Sequence, residues 1–344
     1  MAYRASVPKD LTLTVVEQSP VRKGGTGADA LRESIELAVA CESMGYERFW
    51  VAEHHNIAGI ASTSPEILIG QIGAATNSIR IGSGGVMLPH YSAFKVAENF
   101  RMLETLFPGR IDLGLGRAPG GDQRTMIAMS YPSNPIDVRA YPEQVEDLIG
   151  YLGDSLPVEH PFHTLRAGPP TEHVPQVWLL GSGVDSARLA AARGLPFSFA
   201  HFFGNSAQGP DIVDLYRREF RPSAQLAEPR AHVAVQVMCA QTTEEAEWHA
   251  LSMKVGRIQM ARNQERSGIV SPEEASEHVF TPEEERFLEH SGMRATVGNP
   301  EQVAAELYAI AERYDTELLG VVTICYDFEA RLRSYELIAQ QYLH

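Results

Sequence analysis

Cysteine is scarce in this chain of 344 residues, positive charge is outweighed, and no long hydrophobic run occurs. Cys41, Cys239 and Cys325 lie far apart, form no C-x-x-C pair and cannot all be joined, so a disulfide-stapled secreted framework is a poor fit and a reducing cytoplasm a better one. Against 44 Asp and Glu stand only 29 Lys and Arg, a net charge of −15. That is the wrong sign for gripping a nucleic-acid backbone or an anionic membrane surface, so neither is an expected partner. No apolar stretch reaches the roughly 20 residues of a membrane span. The opening decapeptide, Met1 to Asp10, has no apolar core of the kind a signal peptide needs. A complete G-x-G-x-x-G is missing too: Gly82/Gly84, Gly114/Gly116 and Gly181/Gly183 each give G-x-G without the third glycine. An open, doubly wound dinucleotide-binding sheet is therefore the weaker architecture.

What is present is a repeated unit. Eight β-prone windows recur: Leu11–Val16, Arg48–Ala52, Ile79 onward, Ile111 onward, Gln176–Leu180, Leu195–Ala200, His232–Ala240 and Leu318–Cys325. Helical patterns alternate with them. Thr26 and Asp29 stand at capping spacing before one helix that Gly45 closes, Val96, Phe100, Leu103 and Phe107 mark the apolar face of another, and Asn299-Pro300 caps a third. This order predicts a parallel sheet closed into a (β/α)8 TIM barrel, an α/β fold. A length of 344 residues at 44% hydrophobic suits a single domain. Two excursions interrupt the pattern, at about 118–174 after the fourth strand and at 268–292 after the seventh. The first is expected to begin as a long loop to about Asp137. In the second, Pro282 to Arg286 reads as a solvated helix start.

Barrel sites sit at the C-terminal ends of the strands. Here those ends read Glu17-Gln18-Ser19, Glu53-His54-His55, Gly84-Gly85, Gly116-Arg117, Ser182-Gly183, His201-Phe202 and Tyr326. The glycines fall on the third, fourth and fifth strands, which are neighbours, so three backbones stripped of side chains offer room for a flat, bulky ligand. The amides of Gly183 to Ser186, opening the next helix, favour an anion, and Arg117 faces them as a partner; the plain alternative is a tight strand-to-helix turn capped by Ser182. Gly84-Gly85 reads either as ordinary loop or as a strained or cis peptide. Glu53, His54 and His55 make poor metal ligands because adjacent strand residues point to opposite faces, and no metal is expected. A general acid or base suits a single histidine better. Cys325 reads as site or as core. Met87, Phe202 and Phe203 imply an open apolar mouth.

Four motifs then carry a resemblance: Phe49-Trp50-Val51-Ala52-Glu53-His54-His55-Asn56, Ser83 through Tyr91, Gly109 through Gly120, and Leu179-Leu180-Gly181-Ser182-Gly183. In this order they resemble the bacterial luciferase-like family of flavin-dependent oxidoreductases, and within it the alkanal monooxygenase-like, MsnO8-type group, nearly from end to end. The resemblance implies FMN at the barrel mouth, with a cis peptide at Gly84-Gly85 and with Gly116 beside the flavin. It implies phosphate contacts at Arg117, Ser182, Gly183 and Ser186, and His54 as the proton-handling group. Glu53, His201 and Phe202 are the expected substrate-pocket residues. In luciferase itself a cysteine occupies the place of Gly116 and a Glu-Ser pair that of Ser182-Gly183, departures that argue against light emission. The implied activity is monooxygenation of a small organic substrate by reduced FMN and O2 through a flavin C4a-hydroperoxide. A separate NAD(P)H:flavin reductase would supply the reduced FMN, to a cytoplasmic homodimer. A deazaflavin (F420)-dependent oxidoreductase of the same superfamily and a non-catalytic flavin-binding protein are the alternatives.

Overall fold

The computed structural model describes residues 11–117, 120–203, 206–262, 268–290 and 294–342. The N-terminal decapeptide, the first two residues of the excursion starting at Ala118 and the last two of that ending at Gly292 lie outside the described residues. In chain order the first half runs β1 (Thr12–Glu17), α1 (Gly27–Ser43), β2 (Arg48–Val51), α2 (Pro65–Ala75), β3 (Arg80–Met87), α3 (Ala93–Leu106), β4 (Ile111–Gly116), α4 (Gln123–Ser130) and α5 (Tyr141–Leu152). It continues with β5 (Gln176–Gly181), α6 (Val184–Arg193), β6 (Phe197–Ala200), α7 (Gly209–Glu219), β7 (Ala231–Cys239) and α8 (Thr243–Ala261). The last part holds α9 (Pro272–Ser276), α10 (Pro282–His290), β8 (Ala295–Gly298), α11 (Pro300–Tyr314), β9 (Leu318–Val322) and α12 (Phe328–Tyr342).

Every strand pairing is parallel, and β1 through β6 lie side by side in chain order. β6 pairs with β7, β7 with β9 and β9 with β1, which closes eight strands into the (β/α)8 TIM barrel. The eight predicted windows supply that wall. One further strand escaped them: β8 lies on β7 at Gln236–Cys239, just past the Ala231–Ala234 stretch that pairs with β6. The predicted loop after Ala118 also needs correction, since it contains α4, whose cap Asp122 accepts from the Thr125 amide. That helix buries no residue, so no apolar stripe betrays it in sequence.

Alternation along the strands sorts side chains into two layers. Val233, Val235 and Val237 of β7 join Leu13, Phe49, Ile81, Leu113 and Leu179 against the helices. On the other face, Ala234 meets Val16, Trp50, Trp178, Leu318 and Val322 inside the barrel, with Leu180 and Phe202 packed above. His232 shares this inner face, fully buried, with its ring 2.8 Å from Thr14 Oγ1 and 2.7 Å from Ser198 Oγ. Gly320 leaves the necessary space: a Cβ there would lie 2.5 Å from the His232 ring.

The N-terminal end of the barrel is closed by charge. Buried Asp112 accepts from Arg48 Nη1 at 2.7 Å, Trp50 Nε1 at 2.9 Å and Arg80 Nη2 at 2.6 Å. The C-terminal end carries the strand-end glycines and the start of α6. Among the described residues no helix is long and apolar enough to cross a membrane.

Candidate active site

The glycine-bearing strand ends do fall side by side, on β3, β4 and β5. The Gly84–Gly85 peptide is cis. At Gly85 a Cβ would lie 2.6 Å from the Gly114 carbonyl oxygen, so the absence of a side chain is what lets β3 and β4 meet there. Gly116 is overlain by Met87, whose Sδ would lie 2.9 Å from an added Cβ. The outcome is an arc of glycines along β3, β4 and β5, with the Met87 side chain lying over Gly116.

At the end of this arc α6 begins without a side-chain cap. Gly183 is its N-cap residue, no side-chain hydrogen bond covers the first turn, and a Cβ on Gly183 would meet nothing within 4 Å. Ser182 therefore does not act as the helix cap. Ser186, buried, turns its hydroxyl over Gly181, where an added Cβ would be 2.5 Å from Oγ. Arg117 reaches the same turn: its Nη1 donates to Asp185 Oδ2 at 3.1 Å, both side chains being well exposed. Uncapped amides, the positive end of a helix dipole and a guanidinium converge on open space, a donor set that fits a phosphate.

His54 follows β2 on the opposite flank of Gly84-Gly85. Its Nε2 lies 3.0 Å from Oε1 of Gln18, which extends β1, and burial holds its pKa below the usual histidine value. A neutral ring at pH 7 can accept or release a proton. The adjoining Glu53 was expected in the substrate pocket, and its surroundings assign it a different place. It is fully buried; Oε1 accepts from Tyr91 Oη and pairs with His55 Nε2, each at 2.7 Å, while Oε2 accepts from the Met87 amide at 3.0 Å. Buried among these donors, it ties the loops after β2 and β3 together. Burial and the charge of Glu53 raise the Tyr91 pKa, keeping its hydroxyl protonated as the donor.

Phe202 caps the barrel's inner apolar cluster and so forms floor beneath the mouth, whereas Phe203 is exposed. His201 stands on the far side, with Nδ1 2.8 Å from Tyr314 Oη, and lines a cavity beside β7. Burial first, and then the charges of Arg313 and Arg294, push its pKa down to about 4. Cys325 is core. Its thiol donates to the Asp327 carbonyl at 3.2 Å, and burial lifts its pKa to about 12. The strand order puts β2, which leads to His54, beside β3, and β3, β4 and β5 beside one another with α6 following β5, while sequence reasoning passed over Gln18 and Tyr91 as partners. Only their positions at strand ends marked them. Among the described residues no group of three or more His, Cys, Asp or Glu is arranged to hold a metal ion.

The chain matches the family model described as luciferase-like monooxygenase over residues 11–317. It is similar to the uncharacterized protein YwcH of Bacillus subtilis, 44% identical over 96% of this chain and 99% of that one. N-acetyl-S-alkylcysteine monooxygenase of the same organism is 36% identical over 97% of this chain and 98% of its own. Among solved structures, apo-MsnO8 superposes with a TM-score of 0.88 at 38% identity, covering 96% and 98% of the two chains. With its closed parallel barrel and its glycine-bearing rim, the chain belongs to the luciferase-like monooxygenase family and is an oxidoreductase.

Proposed function

We propose that the chain is an FMN-dependent monooxygenase acting on a small organic substrate. The observation that carries the reading is the uncapped start of α6 facing Arg117 at the end of the glycine arc, a phosphate-sized donor set beside the glycine-bearing ends of β3 and β4. When bound, reduced FMN supplies two electrons, so that one atom of O2 enters the substrate and the other leaves as water.

The chain's own residues position, shield and move protons. Arg117 and the amides from Gly183 to Ser186 would hold the phosphate, Ser182 would flank it, and Gly84, Gly85 and, beneath Met87, Gly116 would border the flat ring. His54, kept neutral by burial and oriented by Gln18, takes and returns a proton at its ring nitrogen. Glu53 positions Tyr91 and His55 beneath this wall. Phe202 lines the floor and excludes water. A separate NAD(P)H:flavin reductase supplies reduced FMN. A homodimer completes the proposal, since Ile67 of α2 and Met102 and Leu106 of α3 are large apolar side chains left exposed on adjoining helices.

The test is oxygen uptake with a flavin reductase, NADH, FMN and N-acetyl-S-methylcysteine, the substrate class named for one relative. Substrate-dependent uptake with formation of the oxygenated product supports the reading. Tight binding of a reduced deazaflavin with none of FMN would replace it by the deazaflavin alternative. His54→Gln keeps a polar partner for Gln18 and removes the titrating ring. It is expected to lower kcat by roughly 10²-fold or more with FMN affinity intact. Unchanged coupled turnover would remove His54 from the chemistry.

A further inference from the structure

β7 changes partner halfway along its length, from β6 up to Ala234 to β8 from Gln236. Val235, at the change, belongs with Val233 and Val237 to the layer packed against the helices. A cavity of about 570 Å³ opens there on the helix side of the wall, between β7, β8, α8 and α11, within the range of about 300–1,000 Å³ usual for small-molecule sites. Met253, Val297 and Ile310 give it an apolar side.

One buried polar group is open to this space. His201, which follows β6, is only 5% exposed and packs on Tyr314 of α11. Its Nδ1 lies 2.8 Å from Tyr314 Oη, while the other acceptor within reach of that hydroxyl, the Ser206 carbonyl, is 3.4 Å away. The hydroxyl therefore donates to Nδ1, and the neutral ring carries its proton on Nε2. Among the described residues Nε2 meets no hydrogen-bond partner, yet it is not one of the sealed polar atoms of the interior, so it opens on the cavity that His201 lines. A donor held in this way asks for an acceptor that the described residues do not supply.

The charge around it has the sign for an anion. Arg257 is already engaged, its Nη2 donating to Gln236 Oε1 at 2.5 Å, and Arg313 lies 3.8 Å from Glu306, the single carboxylate among the described lining residues. Lys254 of α8 and Arg294, just ahead of β8, line the same cavity and form no ion pair with any described residue. Arg313 and Arg294 stand near enough to His201 for their charges to add to burial in keeping its ring neutral.

We propose that the cavity between the barrel wall and helices α8 and α11 binds a small organic acid, its carboxylate accepting from His201 Nε2 with Arg294 and Lys254 as countercharge, and its apolar body against Met253, Val297 and Ile310. None of these residues belongs to the glycine arc or to the α6 turn, so the proposal stands apart from the flavin reading.

The experiment is calorimetric titration of the full-length protein with cyclohexanecarboxylate and its neutral carboxamide, each with and without saturating oxidised FMN. The acid is expected to bind about tenfold or more tightly than the amide, to weaken as salt rises, and to bind equally well in both flavin conditions. Arg294→Met combined with Lys254→Met should weaken the acid by about tenfold and leave the amide and FMN unchanged. His201→Leu removes the buried donor and should weaken the acid by a similar factor of about ten. Neither Arg294 nor Lys254 is buried, so the double variant decides the matter even where loss of the Tyr314 contact impairs folding of His201→Leu. No binding of the acid, equal binding of acid and amide, wild-type acid binding by the double variant, or loss of acid binding once FMN is bound would each overturn the proposal.

Discussion

His232 shows how one buried side chain sets a pH limit. Burial first, then the nearby charges of Arg48 and Arg230, bring its pKa down to about 3 in the fold, against about 6.5 in an unfolded chain. Between those values the unfolded chain binds the extra proton, so stability is full above pH 6.5 and declines as pH falls toward 3. His232→Gln retains polar partners for Thr14 and Ser198 and does not titrate. Thermal melts from pH 7.5 to 4.5 should therefore fall less steeply for this variant than for the wild type; parallel curves would assign the acid limit elsewhere. Asp112 gives a complementary expectation. Asp112→Ala leaves the Arg48 and Arg80 guanidiniums and the Trp50 indole without their common acceptor, at an expected cost of roughly 3–5 kcal/mol in urea unfolding. At this scale the sequence reveals types and not partners. His54 and the glycines could be nominated because strand ends are where barrel sites lie, whereas the Gln236–Arg257 contact joins two elements and leaves no local pattern. Glu53 misled for a related reason: it adjoins His54 in sequence, but its carboxylate is fully buried among Tyr91, His55 and the Met87 amide.

Elements with strong local grammar were legible. The pairs Thr26/Asp29 and Asn299/Gln302 form reciprocal capping boxes, and each helix starts where its cap stands. Asn299→Ala should accordingly destabilise α11 by about 0.5–2 kcal/mol, read as a lower melting temperature. Gly85→Ala tests the rim itself. The new Cβ would press on the Gly114 carbonyl of the next strand, backbone that has little freedom to retreat, so a loss of about 1–3 kcal/mol is expected, with weaker quenching of FMN fluorescence. Normal stability and normal quenching together would show that β3 and β4 need no such close approach. Elements without grammar were missed. β8 is four residues, Ala-Thr-Val-Gly, too short to display alternation, and its existence depends on the free upper edge that β7 presents where β6 stops. α4, a helix with nothing buried, carries no stripe to read.

For the whole molecule, the repeated β-then-α order was enough to specify closure, since eight parallel strands of this kind have no unpaired edge once the last meets the first. Assembly was not legible in the same way, because an apolar residue on a helix looks alike in sequence whether a partner copy or solvent covers it. Light scattering should give twice the chain mass. Met102→Glu together with Leu106→Glu should shift it to one chain mass, while a wild-type monomer would dispose of the homodimer. The barrel also lays its strands down in chain order, which has a consequence for inheritance. The glycine rim comes from β3, β4 and β5, and the cavity beside β7 from residues 201–313, so the two occupy successive stretches of one polypeptide with a boundary near β6. A crossover at that boundary would exchange one stretch without cutting through the other. A chimera of two relatives joined at β6 would keep the glycine rim of one parent with the cavity of the other, and so would read which half of the barrel governs what is oxidised.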